Sequence, residues 1–466
     1  MRQLSGVDAL HVLEETEHQH MHTIKIAVLA PDDPSAISVD AVRDWLRDRV
    51  LRIPPMRWRV LKIPYGLGRP VFIDAGPVDV DRHLHTERLP SPGSDEQLDE
   101  VVSRIASRQL PRDRPLWDLT YVEGLSGGRI ALVFKLHHSI LDGQASVRFF
   151  ELAFDSGEPM PFGPVPAAAE PVPSKAELVR FALKAQLKLW LRVPAVTRRS
   201  VRSFRDNLAR KRAGAPPVVN PMSGESTRFN KLPRSERVYA DVTLPFPDIK
   251  KLKDATGNTV NELFVALCGG AIRRYLEEKG ELPQRCLICA HPVSLRRDHE
   301  NDHFGNRTSY WYVSLGTDIA DPAERLTKVK ESLDAARAWA EGDAELFAVW
   351  QDYYLLFGVM TLKTLTLAEK LSGRPAFNAI VSNVRGPRPL SLFGVPVVAV
   401  RSMGPITRVL GLNLTAWSYG DDFSVGLQSC AEFMPDLRRL GDHLRAELDA
   451  LKAATTTPLT ATLKAE

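Results

Sequence analysis

Strand-like apolar runs and helical spacing alternate along the first third of the chain, which predicts a mixed region of strands and helices. We predict strands over residues 23–30, 70–74, 119–125 and 129–138. We predict helices over residues 39–50, 95–110 and 144–154. Residues 155–174 are then rich in Pro, Ala and Gly, a composition typical of a linker.

The middle of the chain has helical spacing and a strongly basic character. The helix is predicted to begin at Lys175 and to stop near Val193, because Pro194 lacks a backbone donor. A basic stretch continues to Arg212, and prolines mark a second gap over residues 216–221. This segment is predicted to be a long crossover between two domains.

A second mixed region follows, with strands predicted over residues 237–244, 286–292, 308–315, 377–382, 397–402 and 423–428. Thr259 and Glu262 form a capping-box pattern at the start of one helix. The last helix is predicted to begin at Pro435, and residues from Thr455 onward to form a frayed tail. Its predicted buried stripe is Leu437, Leu440, Leu444 and Leu448.

The fold class predicted from this pattern is α+β, with two domains joined by the basic crossover. The predicted boundaries are 1–158, 159–221 for the linker and crossover, 222–454, and a flexible tail over 455–466. A length of 466 residues agrees with two hydrophobic cores rather than one. We see no internal repeat of solenoid length.

Composition and charge narrow the class of protein. Four cysteines form no disulfide framework, which favours a reducing, cytoplasmic compartment. We see no signal peptide, and the most apolar windows, 263–272 and 353–362, are too short for a membrane span. The net charge of +4 is uneven, because residues 175–212 hold twelve Lys and Arg against two acids. The chain is therefore predicted to be free of the membrane or to bind it from outside.

The segment from Arg129 to Gly143 contains the most informative chemistry. Strand alternation places His138 at the end of one apolar face and His137 on the opposite face, so the two are not expected to share a metal. A neutral imidazole with a pKa near 6.5 can act as a base at neutral pH. From spacing alone, a hydrogen-bonded core histidine is an equally good interpretation. Asp142-Gly143 predicts a turn into the next helix.

The pattern His-His-x-x-x-Asp-Gly after an apolar strand resembles the signature of CoA-dependent acyltransferases built like chloramphenicol acetyltransferase. One branch, the bacterial wax ester synthase/diacylglycerol acyltransferase family, is similar over nearly the whole chain. The matching blocks are Leu4-Ser-Gly-Val-Asp-Ala-Leu10, Met21-His22, Pro115-Leu116-Trp117, the helix from Val260-Asn261-Glu262 to Leu276, Gly305-Asn306-Arg307, Ser382-Asn383-Val-Arg-Gly-Pro387 and Gly411-Leu-Asn413. Glu262 stands where the family usually has Asp, and Arg385 where it often has Pro.

The resemblance implies two chloramphenicol-acetyltransferase-like domains with the active site in a channel between them. It implies that His138 is the general base, with His137 in support, for transfer of an acyl group from acyl-CoA to diacylglycerol or a fatty alcohol. Acyl-CoA is then a substrate, and no cofactor or metal is implied. By the same resemblance Asp142, followed by Gly143, is structural and pairs with an arginine that the sequence does not identify.

Further residues are candidates with two open interpretations each. The oxyanion or substrate candidates are Asn261, Asn383, Ser382 and Trp117, of which Trp117 is equally typical of a core. Cys286 and Cys289 have redox or zinc spacing but lie on an apolar strand without a second pair, which favours structural thiols. The alternating His18, His20 and His22 could bind a metal on one strand face, but the favoured interpretation is that they lie at the surface and bind nothing. An acyl tunnel or plain core is predicted over 346–367.

The crossover helix has two interpretations, a solvated charge stripe or a surface for an anionic membrane or lipid droplet. Its basic residues recur every fourth position at Arg180, Lys184, Lys188 and Arg192. Nucleic acid binding is not predicted, because no groove-reading motif accompanies the charge. Two other functions stay open: the same chemistry on another lipid or polyketide hydroxyl, and a non-catalytic relative that binds lipid droplets.

Overall fold

The computed structural model describes residues 1–33, 36–214, 218–220, 223–296, 304–340 and 373–456. The stretch 346–367 and the tail beyond residue 456 lie outside the described residues. The helices are α1 (Gly6–Leu13), α2 (Val39–Asp48), α3 (Asp95–Ala106), α4 (Gly143–Ala153), α5 (Lys175–Arg212), α6 (Phe246–Thr256), α7 (Val260–Glu278), α8 (Pro322–Ala340) and α9 (Arg438–Thr456).

Over the described ranges, the strands form two six-stranded sheets and one small sheet. The strands are β1 (Arg2–Gln3), β2 (His22–Leu29), β3 (Trp58–Leu61), β4 (Val71–Asp74), β5 (Leu84–Arg88), β6 (Trp117–Glu123), β7 (Ile130–His137), β8 (Arg237–Pro245), β9 (Ile288–Ser294), β10 (Thr308–Ser314), β11 (Ala379–Arg385), β12 (Ser391–Leu392), β13 (Val395–Met403), β14 (Leu412–Tyr419) and β15 (Asp422–Cys430). The N-terminal sheet has the order β12-β13-β2-β7-β6-β5, and the C-terminal sheet β10-β9-β11-β14-β15-β8. The small sheet has the order β1-β4-β3.

The N-terminal sheet has helices on both faces, as the alternation along β7 requires. Leu132 and Phe134 belong to the core shared with α2 and α4, whereas Ala131 and Val133 belong to the core shared with α3. One hairpin of this sheet comes from the far end of the chain, because β13 pairs antiparallel with β2. The second half of the chain therefore contributes two strands to the sheet of the first half.

The C-terminal sheet shares its apolar core with α6, α7, α8 and α9. The capping box predicted at Thr259 and Glu262 is confirmed. The predicted stripe of α9 is buried, although the helix begins at Arg438, three residues after Pro435. Strand β14, at the centre of the sheet, was not among the predicted strands.

Helix α3 closes the exposed edge of the C-terminal sheet. Three backbone N–H groups of the edge strand β8 donate to side chains of this helix or its C-terminal cap. The pairs are Tyr239 to Ser103 at 2.9 Å, Asp241 to Asp99 at 3.2 Å and Arg237 to Ser107 at 2.9 Å. Because the three acceptors are four residues apart, they lie on one helix face and match the donors of alternate strand residues. An edge that could pair with another chain is thus covered.

The crossover helix does not stop at Pro194, so this prediction is wrong. Helix α5 is 38 residues long and contains Pro194 in its interior. It begins with a capping box formed by Ser174 and Glu177, and 19 helical residues precede the proline and 18 follow it. One missing donor therefore does not end the helix. Within the described residues, no helix has the length and apolar content needed to cross a membrane.

Candidate active site

A cavity lies between the two halves of the molecule, with a volume of about 680 Å³ counted to its open mouth. Residues from both sheets line it. The lining includes His11, Thr23, Lys25, His138, Asp142 and Gly143 from the N-terminal half, and Thr308, Tyr310, Ser382, Asn413, Thr415 and Trp417 from the C-terminal half. An apolar sheet interface with a few convergent polar groups is the usual form of a binding site.

His138 lies one residue beyond β7 and is half-buried, with its ring on the cavity wall. Its backbone is fixed on both sides: its N–H donates to the Met21 carbonyl at 2.8 Å, and its carbonyl accepts from Asn306 Nδ2 at 2.6 Å. Nδ1 is buried and has no partner in another described residue. Burial lowers the pKa of His138 below 6.5, a shift opposed by hydrogen bonding to its own backbone. The ring is thus neutral at neutral pH.

His137 faces away from the cavity and is fully buried, as the strand alternation predicts. Its Nδ1 accepts from the Ser139 backbone N–H at 3.1 Å, which places the ring proton on Nε2. That Nε2 lies 3.7 Å from Oε2 of the buried Glu15. Glu15 also contacts His22 Nε2 at 3.1 Å and forms an ion pair with Arg112. This network supports the turn that carries His138.

His20 and His22 belong to this buried region, so their predicted surface position is wrong. Both are at most 3% exposed, and His20 Nδ1 lies 3.2 Å from the Ala106 carbonyl. Burial lowers the pKa of His22 well below 6.5. The alternating histidines were misassigned because their carboxylate and carbonyl partners are distant in sequence or lie in a loop. His18 is exposed, as predicted.

Asp142 borders the cavity, and its carboxylate is held by three donors. Oδ1 accepts from the Ala145 backbone N–H at 2.8 Å, so Asp142 is the N-cap of α4. Oδ2 accepts from Arg296 Nη2 at 2.9 Å and from the Arg307 backbone N–H at 3.0 Å. The arginine left unidentified by the sequence is therefore Arg296, and the buried pair joins the two halves.

Gly143 begins α4 at a point where the second half approaches closely. A Cβ at this position would lie 2.9 Å from Cγ2 of Val384 on β11, closer than side chains normally pack. Asn306 makes a second connection, because its Nδ2 bonds both the His138 carbonyl and Asp8 Oδ1 at 2.6 Å. The sequence blocks that contain Asp8 and Asn306 were recognised, but this bridging role was not.

The four oxyanion or substrate candidates are not brought together. Ser382 lines the cavity. Asn383 follows it on β11 and is not part of the lining, as strand alternation requires. Asn261 Nδ2 instead contacts His291 Nε2 at 3.1 Å. Trp117 is fully buried and donates to the Met56 carbonyl at 2.8 Å. It is therefore a core residue, which was the second of its two predicted interpretations.

Among the lining residues that sequence reasoning missed, His11 and Lys25 are ionisable. The ring of His11 on α1 lies 4.7 Å from that of His138, centroid to centroid. Lys25 lies on β2 opposite Phe134 of β7, and is 3% exposed. The apolar face of β7 was identified, and its partner residues on β2 could have been found once β2 was paired with it. Cys286 and Cys289 are free thiols of the second half, as are Cys268 and Cys430.

Comparison with known proteins identifies the family. The model of the wax ester synthase/diacylglycerol acyltransferase catalytic domain matches residues 4–264, and that of the family's C-terminal domain matches residues 304–452. The chain belongs to the wax ester synthase/diacylglycerol acyltransferase family. This membership identifies it as an acyltransferase, as the sequence predicts.

Relatives of this acyltransferase match it over nearly their whole length. Two Mycobacterium tuberculosis proteins whose names propose a diacylglycerol O-acyltransferase activity are 31% and 32% identical to it. The first match covers 97% of this chain and 96% of the relative, the second 97% and 98%.

Solved structures confirm the predicted α+β fold of two domains. The wax ester synthase/diacylglycerol acyltransferase from Marinobacter aquaeolei VT8 matches with a TM-score of 0.68 and 25% identity, over 98% of this chain and 100% of that one. The first condensation domain of the CDA synthetase shares the fold, with a TM-score of 0.61 and 16% identity over 98% of both chains.

Proposed function

We propose that this acyltransferase uses acyl-CoA to esterify the free hydroxyl of diacylglycerol, giving triacylglycerol and CoA. Long-chain alcohols are proposed as second acceptors, giving wax esters. The observation that carries the proposal is the position of His138, a neutral imidazole on the wall of a cavity shared by the two halves. The names of the relatives support diacylglycerol as the acceptor.

The proposed reaction needs one base and no covalent acyl-enzyme. Because Nδ1 of His138 is buried, Nε2 is the nitrogen that reaches the reactants. Nε2 takes the proton of the acceptor hydroxyl while its oxygen attacks the thioester carbonyl. The tetrahedral intermediate then breaks its C–S bond, and the imidazolium returns the proton to the departing sulfur. No cofactor enters this sequence, since acyl-CoA is consumed as a substrate.

Transfer of radiolabelled palmitoyl-CoA to a panel of acceptors tests the proposed function. The panel contains dipalmitoylglycerol, hexadecanol, a glycolipid and a polyketide alcohol, each presented in the same detergent micelles. We expect labelled triacylglycerol as the main product and wax ester as a second one. If only the glycolipid or the polyketide alcohol is labelled, the proposed acceptor is wrong and the proposed acyl transfer stands. No product with any acceptor, at high enzyme concentration, would favour a non-catalytic lipid-binding relative.

We also propose that α5 places the cavity at an anionic membrane or lipid-droplet surface. The helix packs on the body through Leu178 and Ala182, which contact Ile63 and Val71. Its large exposed apolar residues are Leu183, Leu187, Trp190, Leu191, Val201, Phe204 and Leu208. On a regular helix these seven positions fall within about 140° of the circumference. An exposed apolar stripe beside basic residues is typical of helices that lie in the interface of a bilayer.

Neutralising four basic residues of this helix is expected to weaken binding to anionic vesicles. Arg180, Lys184, Lys188 and Arg192 are all exposed. Each is expected to contribute about 1 kcal/mol near a negative membrane surface, so their joint change to glutamine should reduce binding at least tenfold. Sedimentation with vesicles of phosphatidylglycerol and phosphatidylcholine measures the effect.

A control variant distinguishes a specific effect of helix α5 from a general effect of the protein's net charge. Changing the exposed Lys231, Lys250, Lys251 and Lys253 to glutamine removes the same charge from another surface. This control should sediment nearly as the unchanged protein does. Equal losses in both variants, or undiminished sedimentation of the α5 variant, would contradict a specific role for α5.

A further inference from the structure

A lysine ammonium is buried in the cavity wall, and no acidic side chain pairs with it in the part of the chain that the structure describes. Lys25 Nζ donates to Thr23 Oγ1 and to Ser402 Oγ, both at 2.7 Å. It lies 5.1 Å from the centre of the Trp417 ring. Among the described residues no carboxylate lies within ion-pair distance of it. Two of its three N–H donors are thus fixed by hydroxyls, and one remains for another acceptor.

Other carboxylates near the cavity are already engaged. Asp142 is bound by Arg296 and by the Arg307 amide, and Asp8 by Asn306 and Ser5. A buried cation without a counter-ion is costly for the folded protein. The arrangement is therefore suited to an anion that arises in the cavity during the reaction.

Lys25 shares the face of the sheet that carries His138. Strands β2 and β7 are antiparallel, with Lys25 opposite Phe134 and Thr23 opposite Leu136. Directly opposed residues point to the same side of a sheet, and this side continues to His138, whose N–H is bonded to Met21. Lys25 and His138 both line the cavity. The ammonium and the imidazole therefore face one reacting centre.

We propose that the free N–H of Lys25 binds the oxyanion formed when the acceptor hydroxyl attacks the thioester. This rests on the proposed acyl transfer and adds a catalytic residue to it. As the new C–O bond forms, the carbonyl electron pair moves onto oxygen, and the hydroxyl proton moves to His138. Lys25 donates to that oxygen, and the electron pair returns to the carbonyl when the C–S bond breaks. A fixed donor of this kind stabilises the transition state more than the neutral substrate.

The geometry predicts a pH signature. Burial lowers the pKa of the Lys25 ammonium to about 7, a shift opposed by the charge of Asp142. The other titratable groups that line the cavity are His138, His11, Asp142 and Tyr310. Glu14, the C-cap residue of α1, interacts electrostatically with Tyr310, and burial raises the pKa of Glu14 to about 7. Both histidines have a pKa lowered below 6.5, and burial raises the pKa of Tyr310 to about 12. Loss of the Lys25 proton is therefore expected to give a falling limb of kcat/KM with a midpoint near pH 7, and the Lys25 variants distinguish this limb from a titration of Glu14.

The test compares Lys25→Met with Lys135→Met. Lys135 is an equally buried lysine on β7 that faces the other side of the same sheet and donates to the Arg108 carbonyl. We expect Lys25→Met to lower kcat by about 10²–10³ with little change in KM, which is typical of a lost oxyanion donor. The falling limb should disappear in Lys25→Met. Lys135→Met should keep both kcat and the falling limb.

The outcomes separate this proposal from the proposed function. If the unchanged protein transfers acyl groups but Lys25→Met retains its kcat, the role of Lys25 is wrong and the acyl transfer stands. A raised KM with unchanged kcat would make Lys25 a group that binds substrate, which also overturns the proposal. If Lys25→Met fails to fold, Lys25→Arg is the second variant, because arginine keeps the positive charge. Lys25→Arg should retain a measurable kcat, and its falling limb should move above pH 9.

Discussion

Replacing His138 by alanine is expected to reduce acyl transfer by a factor of about 10²–10⁴, the usual contribution of a general base. The fold should persist, because the backbone N–H and carbonyl of residue 138 keep their bonds to Met21 and Asn306. The ring itself has no hydrogen bond from Nδ1 to another described residue that the variant would leave unpaired. Initial rates with radiolabelled acyl-CoA, together with the midpoint of thermal unfolding, measure both expectations.

His85→Ala is the matched control, because His85 is a half-exposed histidine on the edge strand of the same sheet. It should transfer acyl groups at the unchanged rate.

In the unchanged protein, activity should fall at acidic pH as His138 gains a proton. Because burial lowers the pKa of His138, the midpoint of that loss should lie below pH 6.5. Wild-type rates in His138→Ala would remove His138 from the mechanism.

The elements predicted correctly are those whose signal is local. The alternation along β7 separates Phe134 from Val133, and the structure places them in different cores. The capping box at Thr259 depends on four consecutive residues, and it forms as the sequence indicates. The fold class could be predicted because such signals follow one another in both halves. The opposite orientations of His137 and His138 follow from the same local rule.

The features that were missed depend on contacts between distant residues. Nothing near Asp142 in sequence indicates Arg296, which comes from the second half of the chain. From the sequence, Trp117 could contact substrate and His22 could bind a metal. In the structure, Trp117 donates to the Met56 carbonyl and His22 contacts Glu15. Helix α5 passes through Pro194 although proline is a strong local stop signal. The helical residues on both sides of Pro194 outweigh the tendency of this one residue to end the helix.

The site is therefore a property of the assembled halves. The base is on the first half, yet its carbonyl is held by Asn306 of the second. Lys25 is anchored by Ser402, which reaches the N-terminal sheet only because β13 crosses to pair with β2. Gly426 permits this crossing, since a Cβ there would lie 1.8 Å from the Ser402 carbonyl oxygen. Variants that loosen the contact between the halves should lower activity even where they touch no substrate.

The pair of Asp142 and Arg296 is the strongest case, and we expect Asp142→Asn to lower both stability and rate. Asparagine can still cap α4 through Oδ1, so the change removes the charge and keeps the bond to Ala145. The change breaks the ion pair with Arg296, whose side chain is 6% exposed, at an expected cost of about 3–5 kcal/mol in the free energy of unfolding. Urea unfolding measures this cost, and Asp113→Asn, which breaks the exposed pair with Arg82, should change the stability far less, because water screens that pair. Adding Arg296→Met to Asp142→Asn should restore part of the stability, because the second change removes the guanidinium that has lost its ion pair with Asp142. A variant Asp142→Asn that is fully stable but inactive would instead place the carboxylate in the chemistry.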